Sequence, residues 1–457
     1  MRNSCALPIL ILALVSLAPG RAVLAQGEDF SLWAQIVASD AGAGARFGRQ
    51  VILSSDGSTA LVGSAMGDCS ARPCAPATYV FARDRGTWVQ QAKLSSPGNP
   101  PGETGLSIAI SGDGNTVFLG VPTVSCEAGG RCGITYVYSR RGTDWTLQQT
   151  LRALDPQTQG YFGITTSLSR DGNTAIIGAI GTSCGIVAHC GAAYIFTQSG
   201  GVWTERQKLV EPGPGASPYF AGRVALSGDG KTALVVGGPD LGSYFSGRVY
   251  VFTRDNGDVW SVQGRIAPPA GILDFAVSAE ISGDGNTLLV RGDTDGFAGG
   301  GSVFVFVRTG STWSQEAVLS GVSALDDFGA SFDLTDDGQT AMVLSRPVGC
   351  APGSSCGTAD VFSRNGGAWD RVQQFAPPGL SAGALVGPVS LSGDGTTALL
   401  GVPGQSCSAG TGCGAAYLFT SAPLAVGIPT LGGAGLALLT LALAVGALVL
   451  LQRRRLI

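Results

Sequence analysis

The chain has 457 residues, a formal charge of −4, only 13% charged side chains and 71 glycines. Five of its 28 basic residues (Arg2, Arg21, Arg453, Arg454, Arg455) lie in two terminal segments that hold no acid, which leaves 23 basic against 32 acidic side chains between them. Such a balance offers no cationic footprint for phosphates, so no nucleic acid is expected as a partner. The glycine-rich texture, without a helical apolar period between the ends, predicts an all-β fold.

Residues 1–25 begin with Arg2, run through the apolar stretch Ala6 to Ala18, and end in Ala22-Val23-Leu24-Ala25. A basic start, a short apolar core and small residues before a cut make a secretory signal peptide. Cys5 is expected to leave with it. One folded domain is then predicted over 27–424. Its first stretch, Ser31–Val37, reads as a strand around Trp33.

From Val51 to Gly63 the chain reads VILSSDGSTALVG, and six near-copies follow at intervals of 53 to 58 residues. Each copy is an alternating apolar run, an Asp-Gly tip and a second apolar run opened by Thr, which is the pattern of a tight hairpin. A third strand follows in near-identical form (TYVF, TYVY, AYIF, VYVF, VFVF, ADVF, AYLF), then a fourth with a tryptophan at Trp88, Trp145, Trp203, Trp260, Trp313 and Trp369. Four antiparallel strands at this period make a propeller blade. The seventh unit ends after its third strand, so residues 31–37 are expected to supply its fourth, with Trp33 in the role of the other six tryptophans. The expectation is a seven-bladed β-propeller closed by its N-terminal strand.

Ten cysteines fall in five close pairs: Cys69 with Cys74, Cys126 with Cys132, Cys184 with Cys190, Cys350 with Cys356, and Cys407 with Cys413. Each pair sits in the loop between strands two and three of its own blade, in a chain routed out of the cytoplasm. Five local disulfides are expected. A zinc site is disfavoured, because a C-x5-C spacing with the single histidine His189 fits no usual ligand set.

Blades 4 and 5 carry no staple. Their corresponding loops hold Asp240, Tyr244, Phe245, Arg291, Asp293, Asp295 and Phe297, and this sector is the expected contact for a ligand, an unknown surface protein or glycan. Arg291-Gly292-Asp293 matches an adhesion tripeptide, and Asp293 with Asp295 before Gly296 forms a partial cation pattern. At the C-terminal end, Gly433–Leu451 is uncharged, long enough to span a membrane as a helix, and followed by three arginines that would remain in the cytoplasm.

Two resemblances follow from these residues. The repeat resembles the FG-GAP unit of the integrin α-subunit propeller, through Phe47-Gly48, Phe162-Gly163 and Phe328-Gly329 at unit starts and Gly120-Val121-Pro122, Gly178-Ala179 and Gly401-Val402-Pro403 after strand two. In that family several blades bind calcium in the hairpin between strands one and two. Here those tips carry one aspartate apiece (Asp56, Asp113, Asp171, Asp229, Asp284, Asp394), and only Asp333, Asp336 and Asp337 crowd together; one carboxylate supplies too few oxygens for the ion, so turn formation is expected of them, with no metal and no cofactor.

The end of the chain, with Ile428-Pro429-Thr430-Leu431 ahead of the apolar span and the arginine cluster, resembles the IPTL-CTERM sorting signal of Gram-negative bacteria. That resemblance implies processing of residues 425–457 at Pro429, Thr430 and Leu431 by an exosortase-like protease, and an exported protein passing from an inner-membrane precursor to the cell surface. Gly432, Gly433 and Ala434 replace the polar and tryptophan residues usual after the leucine.

One histidine supports no nucleophile, base and orienter trio. The expectation is therefore a binding or structural module and not an enzyme. The alternative is a propeller enzyme acting on polysaccharide through acidic residues that meet at the channel mouth. Carboxylates with aromatics at one mouth would favour the enzyme; glycine and small apolar residues along the channel would favour binding.

Overall fold

The computed structural model describes residues 29–64, 77–97, 107–127, 129–185, 189–213, 219–238, 247–272, 274–293, 300–322, 326–347 and 356–421. All fall within one compact unit, Asp29–Ser421. The signal segment and residues 425–457 lie outside them, and among the described residues no helix is long and apolar enough to cross a membrane.

Each blade begins from the same local chemistry. At the first hairpin tip Ser54 Oγ donates to Asp56 Oδ1 (2.5 Å), the amide of Ser58 donates to the same oxygen (2.9 Å), and the amide of Thr59 donates to Ser54 Oγ (3.0 Å). The hydroxyl-to-carboxylate bond recurs from Ser111, Ser169, Ser227, Ser282, Thr335 and Ser392 to Asp113, Asp171, Asp229, Asp284, Asp337 and Asp394. Local side-chain bonds of this kind hold the chain in a turn. The carboxylates spend their oxygens on their own tips.

Seven four-stranded antiparallel sheets result. Third strands are buried on both faces, as Tyr79, Val80 and Phe81 illustrate. In blades 1, 3 and 4 their aromatic rings receive a phenylalanine that lies just ahead of the first strand. Phe47 meets Tyr79 and Phe81 edge-on at 5.4 and 5.9 Å, Phe162 meets Tyr194 and Phe196, and Phe220 meets Tyr250 and Phe252. Gly48 follows Phe47 at φ +92°, where a Cβ would collide with Ala415 O of the neighbouring blade, so the pair consists of an aromatic wedge and a close backbone approach.

The ring closes through the N-terminal strand, Phe30–Ile36, which pairs antiparallel with Ala415–Ser421 in a sheet whose other members are Thr397–Val402 and Val389–Leu391. The register corrects one expectation. Phe30 lies opposite Ser421 as Trp203 lies opposite Gln198, whereas Trp33 falls in the bulge between Leu32 and Ala34. Side-chain brackets agree: Gln149 exchanges two hydrogen bonds with the backbone of Trp203, Gln207 with that of Trp260, and Gln373 with that of Phe30. Phe30 is therefore the seventh anchor, stacked on Phe375 at 5.4 Å. Trp33 instead reaches the next blade, edge-on to Trp88 at 5.8 Å with the Arg83 guanidinium over its ring.

The staples have a role between blades as well as within them. Cys126–Cys132, Cys184–Cys190 and Cys407–Cys413 are bonded, and Cys356 is also in a disulfide; Cys69, Cys74 and Cys350 lie outside the described residues. The carbonyls of Cys132, Cys190, Cys356 and Cys413 accept from the amides of Phe162, Phe220, Val386 and Phe47, each on the following blade (2.8–3.1 Å). A disulfide inside one blade thus fixes the loop onto which the next one docks.

Candidate functional site

Two regions carry unusual chemistry. The first is the central channel at the end formed by the hairpin tips, here the lower mouth. The second residue of each tip (Ser55, Gly112, Arg170, Gly228, Gly283, Asp336, Gly393) lines it, and seven backbone hydrogen bonds run around the circle: Asp56 N to Gly112 O, Gly112 N to Arg170 O, Arg170 N to Gly228 O, Gly228 N to Gly283 O, Asp284 N to Asp336 O, Asp336 N to Gly393 O, and Gly393 N to Ser55 O. Arg170 of blade 3 and Asp336 of blade 6 reach across the mouth and form an ion pair, to which Ser55 Oγ adds a hydrogen bond (2.6 Å). A Cβ at Gly283 would collide with this bar, which explains the glycine.

Above it each first strand contributes one aliphatic side chain: Leu53, Ile110, Leu168, Leu226, Ile281, Leu334 and Leu391. At the preceding position most blades carry Ile52, Ala109, Ser167, Ala225 or Ser390, but blades 5 and 6 carry Glu280 and Asp333. Asp333 accepts from Ser390 Oγ (2.9 Å) and from the amides of Leu391 and Leu334 (both 2.8 Å). Glu280 has only the long bond from the amide of Ile281 (3.4 Å). Both sit deep in the fold yet touch the channel space. Burial, then the neighbouring charge of Asp333, pushes Glu280 up to about 8; burial also pushes Asp333 up to about 6 against the bonds that hold it ionised. The space around them is about 140 Å³, room for a few waters and below the ~300 Å³ of ordinary small-molecule pockets. No aromatic residue lines it.

The second region opens on the opposite, upper face at the junction of blades 4 and 5, within the sector that has no staples. A groove of about 290 Å³ is lined by Tyr219, Gly222, Arg223, Val236, Gly237, Gly238, Gly247, Phe275, Ala276 and Val277. Phe220 and Phe275 are the buried wedges of the two blades. The flanking Tyr219 is 55% exposed and Val277 51%. Arg223 is exposed, donates only to Gly222 O (3.3 Å), and makes no ion pair among the described residues.

The sequence-predicted residues divide accordingly. Asp240, Tyr244 and Phe245 lie outside the described residues, in the segment whose flanks Gly238 and Gly247 line the groove; Asp295 and Phe297 are also outside. Arg291 and Asp293 are described, but they do not form an open recognition loop. Arg291-Gly292-Asp293 ends a strand, Arg291 Nη2 bonds Asp293 (3.1 Å) and Asp327 (2.8 Å), and Arg346 bonds Asp327 (2.7 Å). Tyr219, Arg223, Glu280 and Arg170 escaped sequence reading, and Asp333 was weighed there only beside Asp336 and Asp337 against a calcium loop. The last three were visible as charged residues at repeat positions otherwise small or apolar.

An FG-GAP repeat model matches residues 30–81 and 145–196, and an IPTL-CTERM motif matches 427–455. The two repeat matches fall within a ring of seven blades. The chain is a seven-bladed β-propeller that carries FG-GAP repeats and an IPTL-CTERM motif. No curated protein matches it. Among solved structures this FG-GAP propeller is similar to a putative 6-phosphogluconolactonase from Bacteroides fragilis (12% identity, TM-score 0.47, 79% of this chain and 94% of that one) and to a periplasmic gluconolactonase from Pseudomonas aeruginosa (16%, 0.45, 82% and 98%). It is also similar to a prolyl endopeptidase (15%, 0.49, 81% and 46%). Likeness at this level carries nothing about chemistry. The IPTL-CTERM motif implies processing by an exosortase-type system and is consistent with an exported protein.

Proposed function

We propose that this FG-GAP propeller is a surface binding module whose ligand, a glycan or a surface protein, enters the groove between blades 4 and 5. It is carried out by the N-terminal signal, held as an inner-membrane precursor of a Gram-negative cell through the apolar span 433–451, and handed on at Pro429-Thr430-Leu431. The observation that carries the reading is the coincidence of an open groove with the unstapled junction, furnished with an exposed tyrosine, an exposed valine and an arginine that no acid among the described residues engages. Tyrosine offers a large contact at low entropic cost, and a free guanidinium offers directional donors.

The polysaccharide-cleaving alternative draws on Glu280 and Asp333, whose proton affinities are pushed apart as an acid and base pair requires. Against it stand a chamber of about 140 Å³, too small for a sugar ring with its neighbours, and a lining without aromatics. The test is binding of the purified chain to a glycan array and to whole cells, with Tyr219→Ala and Arg223→Ala alongside. A tenfold or greater loss in either variant supports the groove, since ~1.4 kcal/mol is one decade. Full binding by both variants refutes it.

A further inference from the structure

The groove between blades 4 and 5 has a local cause. In blades 2, 3 and 7 the second strand carries a glycine (Gly120, Gly178, Gly401) where the following blade docks, and a Cβ there would stand 2.1, 2.3 or 2.0 Å from the carbonyl of Gly163, Ala221 or Gly48 on that blade. Backbone lying on backbone seals those junctions. Blade 4 has Val236 at this position, and its side chain lines the groove together with Ala276 of blade 5. The larger residue holds the two blades apart. In blade 5 the position belongs to Arg291, which is tied to Asp293 and Asp327 (3.1 and 2.8 Å) and so fills its own junction.

Across the hairpin, Val236 pairs with Arg223. At this place, four residues before the tip hydroxyl, the other blades carry Gln50, Ser107, Thr165, Ser278, Ser331 and Pro388, none of them charged. Arg223 is also the one charged side chain among the lining residues. Near the floor Glu211 is buried, accepts from the Tyr250 hydroxyl (2.6 Å) and lies 3.7 Å from Arg248, so that pair cancels. Asp274 precedes Phe275 but is buried where it meets its cross-strand partner Asp293. What remains is a recess of valine, alanine, phenylalanine and glycine under an exposed tyrosine, with a single guanidinium that no acid among the described residues engages. Its complement is a ligand with a flat, partly apolar face and a carboxylate, the group a guanidinium fork fits in two places at once.

We propose that the ligand of this groove is an acidic glycan, one uronate residue of which lays its ring against Tyr219 and gives its carboxylate to Arg223. The inference rests on the groove being the ligand site and selects the glycan over the protein. A peptide held by its main chain needs a free sheet edge, whereas the groove is lined by the upper ends of strands. Its volume of about 290 Å³ is close to the ~300 Å³ at which small-molecule sites begin, room for one ring with the rest of the polymer in solvent.

Calorimetric titration of the purified full chain with short oligomers of galacturonate, glucuronate and mannuronate, each beside its methyl ester, is the test. The ester keeps the ring and removes the charge. At least one acid should bind about tenfold or more tightly than its ester, the worth of a hydrogen bond to a charged group. Arg223→Gln should erase that difference, and Arg223→Lys, which keeps the charge without the planar fork, should restore only part of it. A preference for the acid that persists in Arg223→Gln overturns the assignment. So does the absence of binding by all three acids, and so does a glutamate-rich peptide that binds more tightly than any of them. Equal binding of acid and ester, lost in Tyr219→Ala, overturns the uronate while leaving the groove as the ligand site.

Discussion

Replacing Phe30 by alanine and, separately, Trp33 by alanine discriminates between two registers for the closing strand. Phe30 is 8% exposed, stacks on Phe375 and belongs to the blade-7 core with Phe419, Val389 and Leu400. Truncating a buried phenylalanine costs about 3–5 kcal/mol, through lost transfer energy and the cavity left behind. Trp33 is half-buried in a bulge, and its main partners are Trp88, edge-on, and Arg83. An aromatic pair of that kind contributes about 0.5–1.5 kcal/mol and a half-exposed cation–π contact about 0.5–1, so Trp33→Ala should cost about 1–2 kcal/mol. Urea unfolding followed by circular dichroism measures both through the shift in midpoint at constant slope. A Trp33→Ala variant less stable than Phe30→Ala would mean that the tryptophan is the core anchor and that the pairing with Ala415–Ser421 has slipped.

Further outcomes follow from other contacts. Cys190→Ser with Cys184→Ser removes a seven-residue closed loop, worth about 2 kcal/mol on the chain-entropy model, so the Phe220 amide that bonds Cys190 O should exchange with deuterium about 30-fold faster while the Gly247 amide at the unstapled junction is unchanged. Uniform acceleration over all blades would contradict the clasp. Glu280 and Asp333 hold their protons to about 8 and about 6 in the fold, above their unfolded values, so the stability they confer is complete in acid and declines as pH rises through those values. Glu280→Gln should remove the upper part of that decline and, allowing for channel solvent, gain about 1–2 kcal/mol near pH 9; an unchanged pH profile would show that Glu280 titrates normally. Arg170→Ala should cost no more than about 1 kcal/mol, because both partners of the bar are substantially exposed; a larger loss would mean that the bar holds the ring together.

What was legible in the sequence is what depends on neighbours along the chain. The Ser-x-Asp-Gly-x-Thr tip contains both donor and acceptor of its own turn, so its repetition gave blade number and strand order. The five close cysteine pairs were equally local, and every bond described agrees with them. Trp33 was assigned by residue type and spacing, and that misled, because the anchor position of the register holds Phe30, three residues earlier, while Trp33 falls at the bulge that recurs in the fourth strand of every other blade. Nothing local announces that Arg170 meets Asp336 or that Asp274 faces Asp293; those encounters are set by how seven sheets close and how strands register. The unstapled sector was visible as an exception in the cysteine pattern, but Tyr219 lies on the linker into blade 4 and Arg223 opens its first strand, neither of which the loop comparison covered.

The closing strand has a temporal meaning. Synthesis delivers Phe30–Ile36 first and its partner Ala415–Ser421 last, and the bond from Phe30 N to Gln373 Oε1 joins residues 343 apart. Contacts so distant form late, after loop entropy has been overcome. In the meantime this strand waits unpaired, and its make-up suits the wait: only Phe30 and Ile36 are fully buried at the end, while Ser31, Leu32 and Gln35 remain in water. A segment with so little to hide is a poor seed for mispairing while the chain folds.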